Sequence, residues 1–385
     1  MASEAIAYLD NAASTPLCPE AIEAMAPLHR DLYANPTGAH RMARDTRRRI
    51  DDARDMMAEA LGSEPGEIVF TGGGTEGDNL AVVGRHMTVG GVTMCSAVEH
   101  HAVLAPVEHL GGRVVAVDAT GVIDLDALAG ALDDDVTVVS VMLANNETGM
   151  VQPLGQVAEL VCSQAPNAVL HTDAVQAFPW LDVASLAAGA DLISVSAHKF
   201  GGPKGVGALV VRDGVELSPL LLGGGQERGL RSGTHNAAGI AGMAAAAEVV
   251  LKSRAEQVVR LAGLRDRLAD GVLGTVEGTV ETGERTGKVA GSAHLCFEGI
   301  ESEALLFLLE DAGVYASAAS SCSSGAQDPS HVLAAMGYDR MLAGGSLRLS
   351  LGYETVEDDV DRALAVIPDA VARLRAYGAI SATHR

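Results

Sequence analysis

Lys199 is one of only four lysines in the chain, with Lys204, Lys252 and Lys288, set against 23 arginines. Where arginine is the default cation, a lysine is the residue that does what arginine cannot. It loses its proton when desolvated and attacks a carbonyl carbon to form a Schiff base. Lys199 sits in DLISVSAHKFGGPKGVGALVV, residues 191–211, after Ser196 and His198 and before a glycine-rich turn, with an apolar run on either side. That setting suits a Schiff base to an aldehyde cofactor such as pyridoxal phosphate (PLP). The stretch alone suits equally a lysine that ends a strand and points to solvent.

The other polar clusters offer what PLP chemistry needs, each with an ordinary alternative. A carboxylate must keep the pyridine nitrogen protonated so that the ring accepts carbanion charge. Asp173, in HTDAVQ, fits this, or it caps a helix. The phosphate needs N–H and hydroxyl donors, which Gly74, Thr75, Ser196 and His198 offer. The turn TGGGTE, residues 71–76, is neither a Walker A loop nor G-x-G-x-x-G, and a plain tight turn explains it nearly as well. His100 or its neighbour His101 can stack on a flat ring. Asn146 and Gln176 can bond a phenolic oxygen or order loops. Asn35, before Pro36, has a carboxamide free to bind. Arg348, in an apolar strand, can take a substrate carboxylate, or it is a paired structural arginine. Cys322 stands alone in a stretch of Ser, Ala and Gly, where a thiol is exposed and can accept sulfur. Cys95, Cys162 and Cys296 lie in apolar runs and read as inert core residues; Cys18 reads as incidental.

The elements that position these residues alternate strand and helix. Apolar runs at 67–70, 92–95, 114–117, 136–143, 168–171 and 192–195 are separated by helical stretches, which argues for a mainly parallel sheet covered by helices. Ligands of such sheets sit beyond the carboxyl ends of the strands, where residues 71–76, 145–148, 173–176 and 196–199 all fall. Two helices, 236–251 and one reaching about 268, lead to a second unit with strands near 290–297, 314–318 and 347–351.

Composition agrees with a large α/β enzyme. The 385 residues are 48% apolar but 3% aromatic, so Ala, Val and Leu must build the core. The net charge of −23 argues against a nucleic-acid surface. No apolar run is long enough to span a bilayer, the N-terminus has no secretory pattern, and five cysteines without ligand spacing suit reduced thiols. Together these predict a cytoplasmic protein with no membrane partner.

Taken in order, NPTGAH, FTGGGTEGDN, EHHAVL, NNETG, HTDAVQ, SAHKFGGPKGVGAL, GGGQERGLRSGT, CSSGAQDPSHVL and SLRLSLG resemble the cysteine desulfurases of the class-V aminotransferase group, PLP enzymes of fold type I. The resemblance implies an α/β fold: a large domain, residues 15–255, around a mainly parallel seven-stranded sheet, and a smaller α+β domain, residues 1–14 and 256–385. It implies that Lys199 forms the Schiff base and moves protons and that His100, not His101, stacks on the ring. Asp173 would pair with the pyridine nitrogen, Gln176 lie near the phenolic oxygen, and Asn146 lie beside cofactor and substrate. Gly74, Thr75, Ser196 and His198 would hold the phosphate, with Thr234 reaching that of the other subunit of a homodimer. Asn35 and Arg348 would bind the carboxylate of L-cysteine. Cys322 would take the sulfur as a persulfide, release alanine, and pass the sulfur to an acceptor protein for iron–sulfur cluster assembly or thiolation. No resident metal is implied; Cys322 is at most a transient iron–sulfur ligand.

Two positions depart from the pattern. Ala319-Ser320-Ser321 precedes Cys322 where Gly-Ser-Ala is common, and Gly77 stands where a serine is usual. These bear on rate and acceptor choice. The rival within the fold is a selenocysteine lyase or another PLP-dependent β-lyase, which would keep Lys199 and Asp173 without depending on Cys322. A rival outside enzymology is a non-catalytic sulfur-relay scaffold, which would not need Lys199, Asp173 and His100 intact.

Overall fold

The computed structural model describes residues 6–318 and 330–383. Its strands, in chain order, are β1 (Ala7–Tyr8), β2 (Ile68–Thr71), β3 (Val92–Ser96), β4 (Arg113–Val115), β5 (Val136–Ser140), β6 (Val169–Asp173), β7 (Leu192–Ser196), β8 (Gly207–Val211), β9 (Thr279–Glu281), β10 (Ser292–Phe297), β11 (Val314–Tyr315) and β12 (Ser346–Ser350). Seven of them form one sheet in the order β2-β8-β7-β6-β5-β3-β4. Only β8 runs antiparallel to its neighbours, because it returns directly from β7 through the turn that carries Lys199. The remaining crossovers pass through helices and leave the strands parallel. Every residue of β2, β6, β7 and β8 is buried, as strands covered on both faces must be. The mainly parallel seven-stranded sheet is thus as the sequence implies.

A second apolar cluster lies apart from this sheet. Leu9, Leu261, Leu268, Val272, Leu295, Phe297, Leu305, Leu347, Leu349 and Ile367 pack together around the antiparallel sheet β12-β10-β9 and the parallel pair β1-β11. The chain's beginning therefore joins its C-terminal third. Asn11 Nδ2 donates to the Ser350 carbonyl at 2.9 Å, and the segment then crosses to the large sheet, where the Thr15 hydroxyl donates to the His198 carbonyl at 3.0 Å.

Where the sequence reads two helices, the structure has one, Ala237–Thr275, of 39 residues. No proline or adjacent glycine pair interrupts residues 251–254, so nothing stops the helix there. At about 1.5 Å per residue it spans roughly 58 Å. Ile240, Met243, Ala246 and Val250 enter the first core, and Leu261, Leu264, Leu268 and Val272 enter the second. The helix belongs to both units.

Candidate active site

Four polar clusters meet at the carboxyl edge of the large sheet. Lys199 ends a 3-10 turn (Ala197–Lys199) directly after β7. Its Nζ donates to the Ala12 carbonyl at 2.5 Å and to that of Ala13 at 3.0 Å. Gln176 Nε2 donates to the same Ala12 carbonyl at 2.8 Å. Lysine and glutamine, on different strand ends, are thus brought to one oxygen of the N-terminal segment. Asn146, Gln176 and Lys199 line a common cavity of about 320 Å³, walled further by Trp180, Phe200 and Tyr353.

Asp173 closes β6, and its Oδ1 accepts the Val175 N–H at 2.8 Å. Burial, and next the neighbouring Asp78, push its pKa up to about 7. His100 caps the helix His101–His109, its Nδ1 accepting the Ala102 N–H at 3.1 Å. The neutral ring therefore carries its proton on Nε2. Burial, and then the charge of nearby Lys199, push the His100 pKa down to about 4, which keeps the ring neutral at pH 7. His101 instead lies against His331, the two rings tilted by 42° at 4.6 Å between centroids.

Between β2 and the helix Gly74–Asn79, the turn at Gly73 has φ 147° and ψ −177°, a conformation that favours glycine. At Gly74 a Cβ would meet the Val175 side chain at 2.8 Å, so the backbone there is close to the turn after Asp173. Gly72, Gly73, Gly74, Thr75, Ser196, His198 and Lys204 line a second, open hollow of about 710 Å³. His198 Nδ1 is buried without a partner among the described residues. Burial, followed by Lys199 and Lys204, pushes the His198 pKa to about 4.

Arg348, on β12, is buried. Its Nη1 donates to the Asn146 carbonyl at 3.0 Å and its Nη2 to Asp10 Oδ1 at 2.8 Å, while Nε is buried without a partner among the described residues. The carbonyl of Asn146 is aimed by its neighbour: Asn145 Oδ1 takes the N–H groups of Glu147 and Thr148, both at 2.9 Å.

The structure gathers Lys199, Gln176, Asn146, His100, Asp173 and Arg348, and groups Gly74, Thr75, Ser196 and His198 at the adjoining hollow. It does not join Asn35 to them. Asn35 is exposed, with Oδ1 taken by the Thr37 N–H and hydroxyl, and no hydrogen bond links it to the cluster among the described residues. Thr234 is exposed on the loop after Arg231. Cys322 lies outside the described residues. One sequence expectation is corrected: Cys162 is exposed, not core, because it falls on the outer face of the helix Leu154–Gln164, whereas Cys95 and Cys296 are buried as expected. Reading the sequence also missed Asp10 and the Ala12 and Ala13 carbonyls; these lie in YLDNAAST, a segment whose contacts only the crossing between units creates.

Beneath Asp173 lies a network the sequence did not announce. His171 spans three strands, Nδ1 at 2.7 Å from Ser140 Oγ on β5 and Nε2 at 3.0 Å from Ser194 Oγ on β7. Asp78 Oδ1 lies 3.5 Å from the same Nε2. Among the described residues no cluster of three or more His, Cys, Asp or Glu is arranged to hold a metal, and no helix is long and apolar enough to cross a membrane.

The likeness to known proteins covers the chain almost end to end. The Aminotransferase class-V family profile matches residues 7–363. An IscS-like cysteine desulfurase of Mycobacterium tuberculosis is 46% identical, over 96% of this chain and 97% of its own. The cysteine desulfurase IscS of Methanosarcina thermophila is 41% identical, over 96% and 92%. Among solved structures, a NifS-like protein superposes with a TM-score of 0.89 at 35% identity, covering 96% of this chain and all of the other. SspA in complex with cysteine gives 0.75 at 31% identity, covering 91% and 99%. The chain belongs to the class-V aminotransferase family and, within it, to the cysteine desulfurases.

Proposed function

We propose that the protein is a PLP-dependent cysteine desulfurase that converts L-cysteine to L-alanine and moves the sulfur onto Cys322 for delivery to an acceptor protein. The observation that carries this reading is the gathering of Lys199, Asp173 and His100 at one sheet edge, beside the glycine-lined hollow at Gly72–Thr75. The residues fit the cofactor. The hollow has no side-chain walls at Gly73 and Gly74, and the His198 imidazole that lines it suits a phosphate oxygen. Asp173, held through one oxygen, suits a protonated pyridine nitrogen. That cation would offset the burial that now raises the Asp173 pKa.

Bound PLP supplies an electron sink for the bonds at the substrate's Cα. Lys199 Nζ, sharing the Ala12 carbonyl with Gln176, would hold the cofactor through its aldehyde and serve as the base that moves the substrate's Cα proton. Asp173 would keep the ring nitrogen protonated, and His100 would pack against the ring with its Nε2–H as the available donor. Arg348 takes the substrate carboxylate, its direction set by Asp10 and the Asn146 carbonyl. The Cys322 thiolate attacks the substrate's sulfur: the new S–S bond forms as the Cβ–S bond breaks, and its electron pair stays with Cβ. Cβ then takes a proton and Lys199 would return one to Cα, giving alanine and a Cys322 persulfide. Thr234 belongs in this reading to the partner site of a homodimer, and Asn35, exposed in the single chain, to a substrate contact completed there. The acidic charge and the thiols support action in the cytoplasm.

The test is to give the purified yellow protein L-cysteine and a thiol reductant, and to measure alanine and sulfide for the wild type and for Cys322→Ala. Both products from the wild type and neither from the variant establish the reading. Equal turnover by the variant removes the persulfide step and favours a simple lyase.

A further inference from the structure

Among the described residues, only Glu227 and Arg228 place a non-glycine backbone in the left-handed region, at φ 47° and 58°. Such outliers carry a conformational cost and persist where the surroundings over-determine them. At Glu227 the surroundings are explicit. Its side chain is 2% exposed, and its two oxygens take four donors. Arg54 Nη1 and Nη2 lie at 2.9 and 2.7 Å, the Phe70 N–H at 2.8 Å and His235 Nε2 at 2.7 Å.

The donors come from three places. Arg54 lies on the helix Arg41–Leu61, where it also donates to the Ile68 carbonyl at 2.7 Å and sits 4.7 Å over the Phe70 ring. Phe70 is in β2, two residues before the glycine turn. His235 directly follows Thr234. A second carboxylate repeats the arrangement along the chain. Glu76 Oε2 takes the Gly72 N–H at 2.7 Å, and its Oε1 takes Arg231 Nε at 2.8 Å. The loop of residues 223–235 is thereby tied at two points to the strand and turn that lead into Gly74 and Thr75. Burial acts to raise the Glu227 pKa, but His235 and Arg54 overcome it and hold the group at about 2, so the tie persists across the working pH range.

We propose that Glu227 is a positioning residue for anion binding: its carboxylate locks the Phe70–Thr75 turn and the Thr234–His235 end of the loop in one fixed relation. The inference rests on the proposed desulfurase function, in which Gly74 and Thr75 hold a phosphate and Thr234 serves the same group in the second copy of the chain. One buried carboxylate then links the phosphate turn of a subunit to the hydroxyl it lends its partner. The strain at Glu227 is the cost of aiming that carboxylate inward from a loop.

The test uses apoprotein titrated with PLP, followed by absorbance, together with ³¹P NMR of the bound phosphate at saturation. Wild type, Glu227→Gln and His235→Gln are compared. Gln at 227 keeps the volume but replaces one acceptor by a donor facing donors. It is expected to weaken PLP affinity at least tenfold and to move the phosphate resonance. His235→Gln, which cuts only the tie to Thr234, is expected to weaken affinity a few-fold and to move the resonance in the same direction. A merely structural role would lower the melting temperature and leave the resonance in place. If Glu227→Gln does not fold, His235→Gln decides alone. Variants that bind PLP like the wild type, with an unmoved resonance, overturn the proposal. A wild type that binds no PLP overturns the desulfurase function instead.

Discussion

Arg348 and Asp10 form a 2.8 Å ion pair within the second unit, although they stand 338 positions apart in the chain. The pair leaves the guanidinium buried and directed by two acceptors, Asp10 and the Asn146 carbonyl. A planar fork can hold both and still present an edge to a carboxylate, whereas an ammonium cannot. Arg348→Lys is therefore expected to raise KM for L-cysteine by about 10- to 100-fold, the loss of one charge-assisted pair, with a smaller effect on kcat. Steady-state kinetics of alanine formation check this, and a kcat loss without a KM change would remove Arg348 from the carboxylate site.

Asp78 lies buried below Asp173, and burial raises its pKa to about 7. Between the ordinary carboxylate range and that value the folded chain holds a proton that the unfolded chain has lost. Its stabilising contribution is thus present at low pH and lost as pH rises through about 4 to 7. Asp78→Asn in the apoprotein is expected to gain stability over the wild type with rising pH, on the order of 2 kcal/mol at pH 8 and less at pH 5. Urea unfolding at the two pH values decides it.

Ser330 caps the short helix His331–Ala335, taking the Val332 and Leu333 N–H groups at 3.1 and 3.2 Å, and also donates to buried Glu147. Ser330→Ala removes a cap and a carboxylate's donor together, an expected loss of about 2 to 4 kcal/mol. The donor stabilises the ionised form of Glu147, whose pKa burial otherwise raises. The loss should therefore be larger at pH 8 than at pH 5. Denaturant midpoints measured at both would show it.

Thiol labelling separates the cysteines. Cys162 is exposed, Cys18 intermediate, and Cys95 and Cys296 buried. Burial pushes the Cys296 thiol up to about 12, and the Cys95 thiol upward too. In a Cys322→Ala background, a disulfide reagent is expected to modify Cys162 quickly and Cys18 slowly, and to reach Cys95 and Cys296 only after denaturation. Loss of the fast phase in Cys162→Ser confirms the assignment.

The α/β class, the strand positions and most of the site are legible along the chain. Periodicity and doubly apolar runs are local properties, and strand ends carrying Asp173, Asn146 and Lys199 share one edge of a parallel sheet. The scarcity of lysine singles out Lys199, and a set of ordered motifs singles out the family. Cys162 shows the limit of such legibility: it lies in an apolar run, but which face of a helix is covered depends on what packs there.

The sequence nominates which residues could do the chemistry, because residue type and distance from a strand end are written along the chain. Tertiary structure alone decided what surrounds them. The Asp10–Arg348 pair, the Ala12 carbonyl shared by Lys199 and Gln176, the His171 bridge over three strands and the four donors on Glu227 all join segments far apart in sequence. Each exists because packing draws water away from a polar group and sets a distant chain segment against it as a partner. Which segment that is depends on how the sheet, the shared 39-residue helix and the second core pack together.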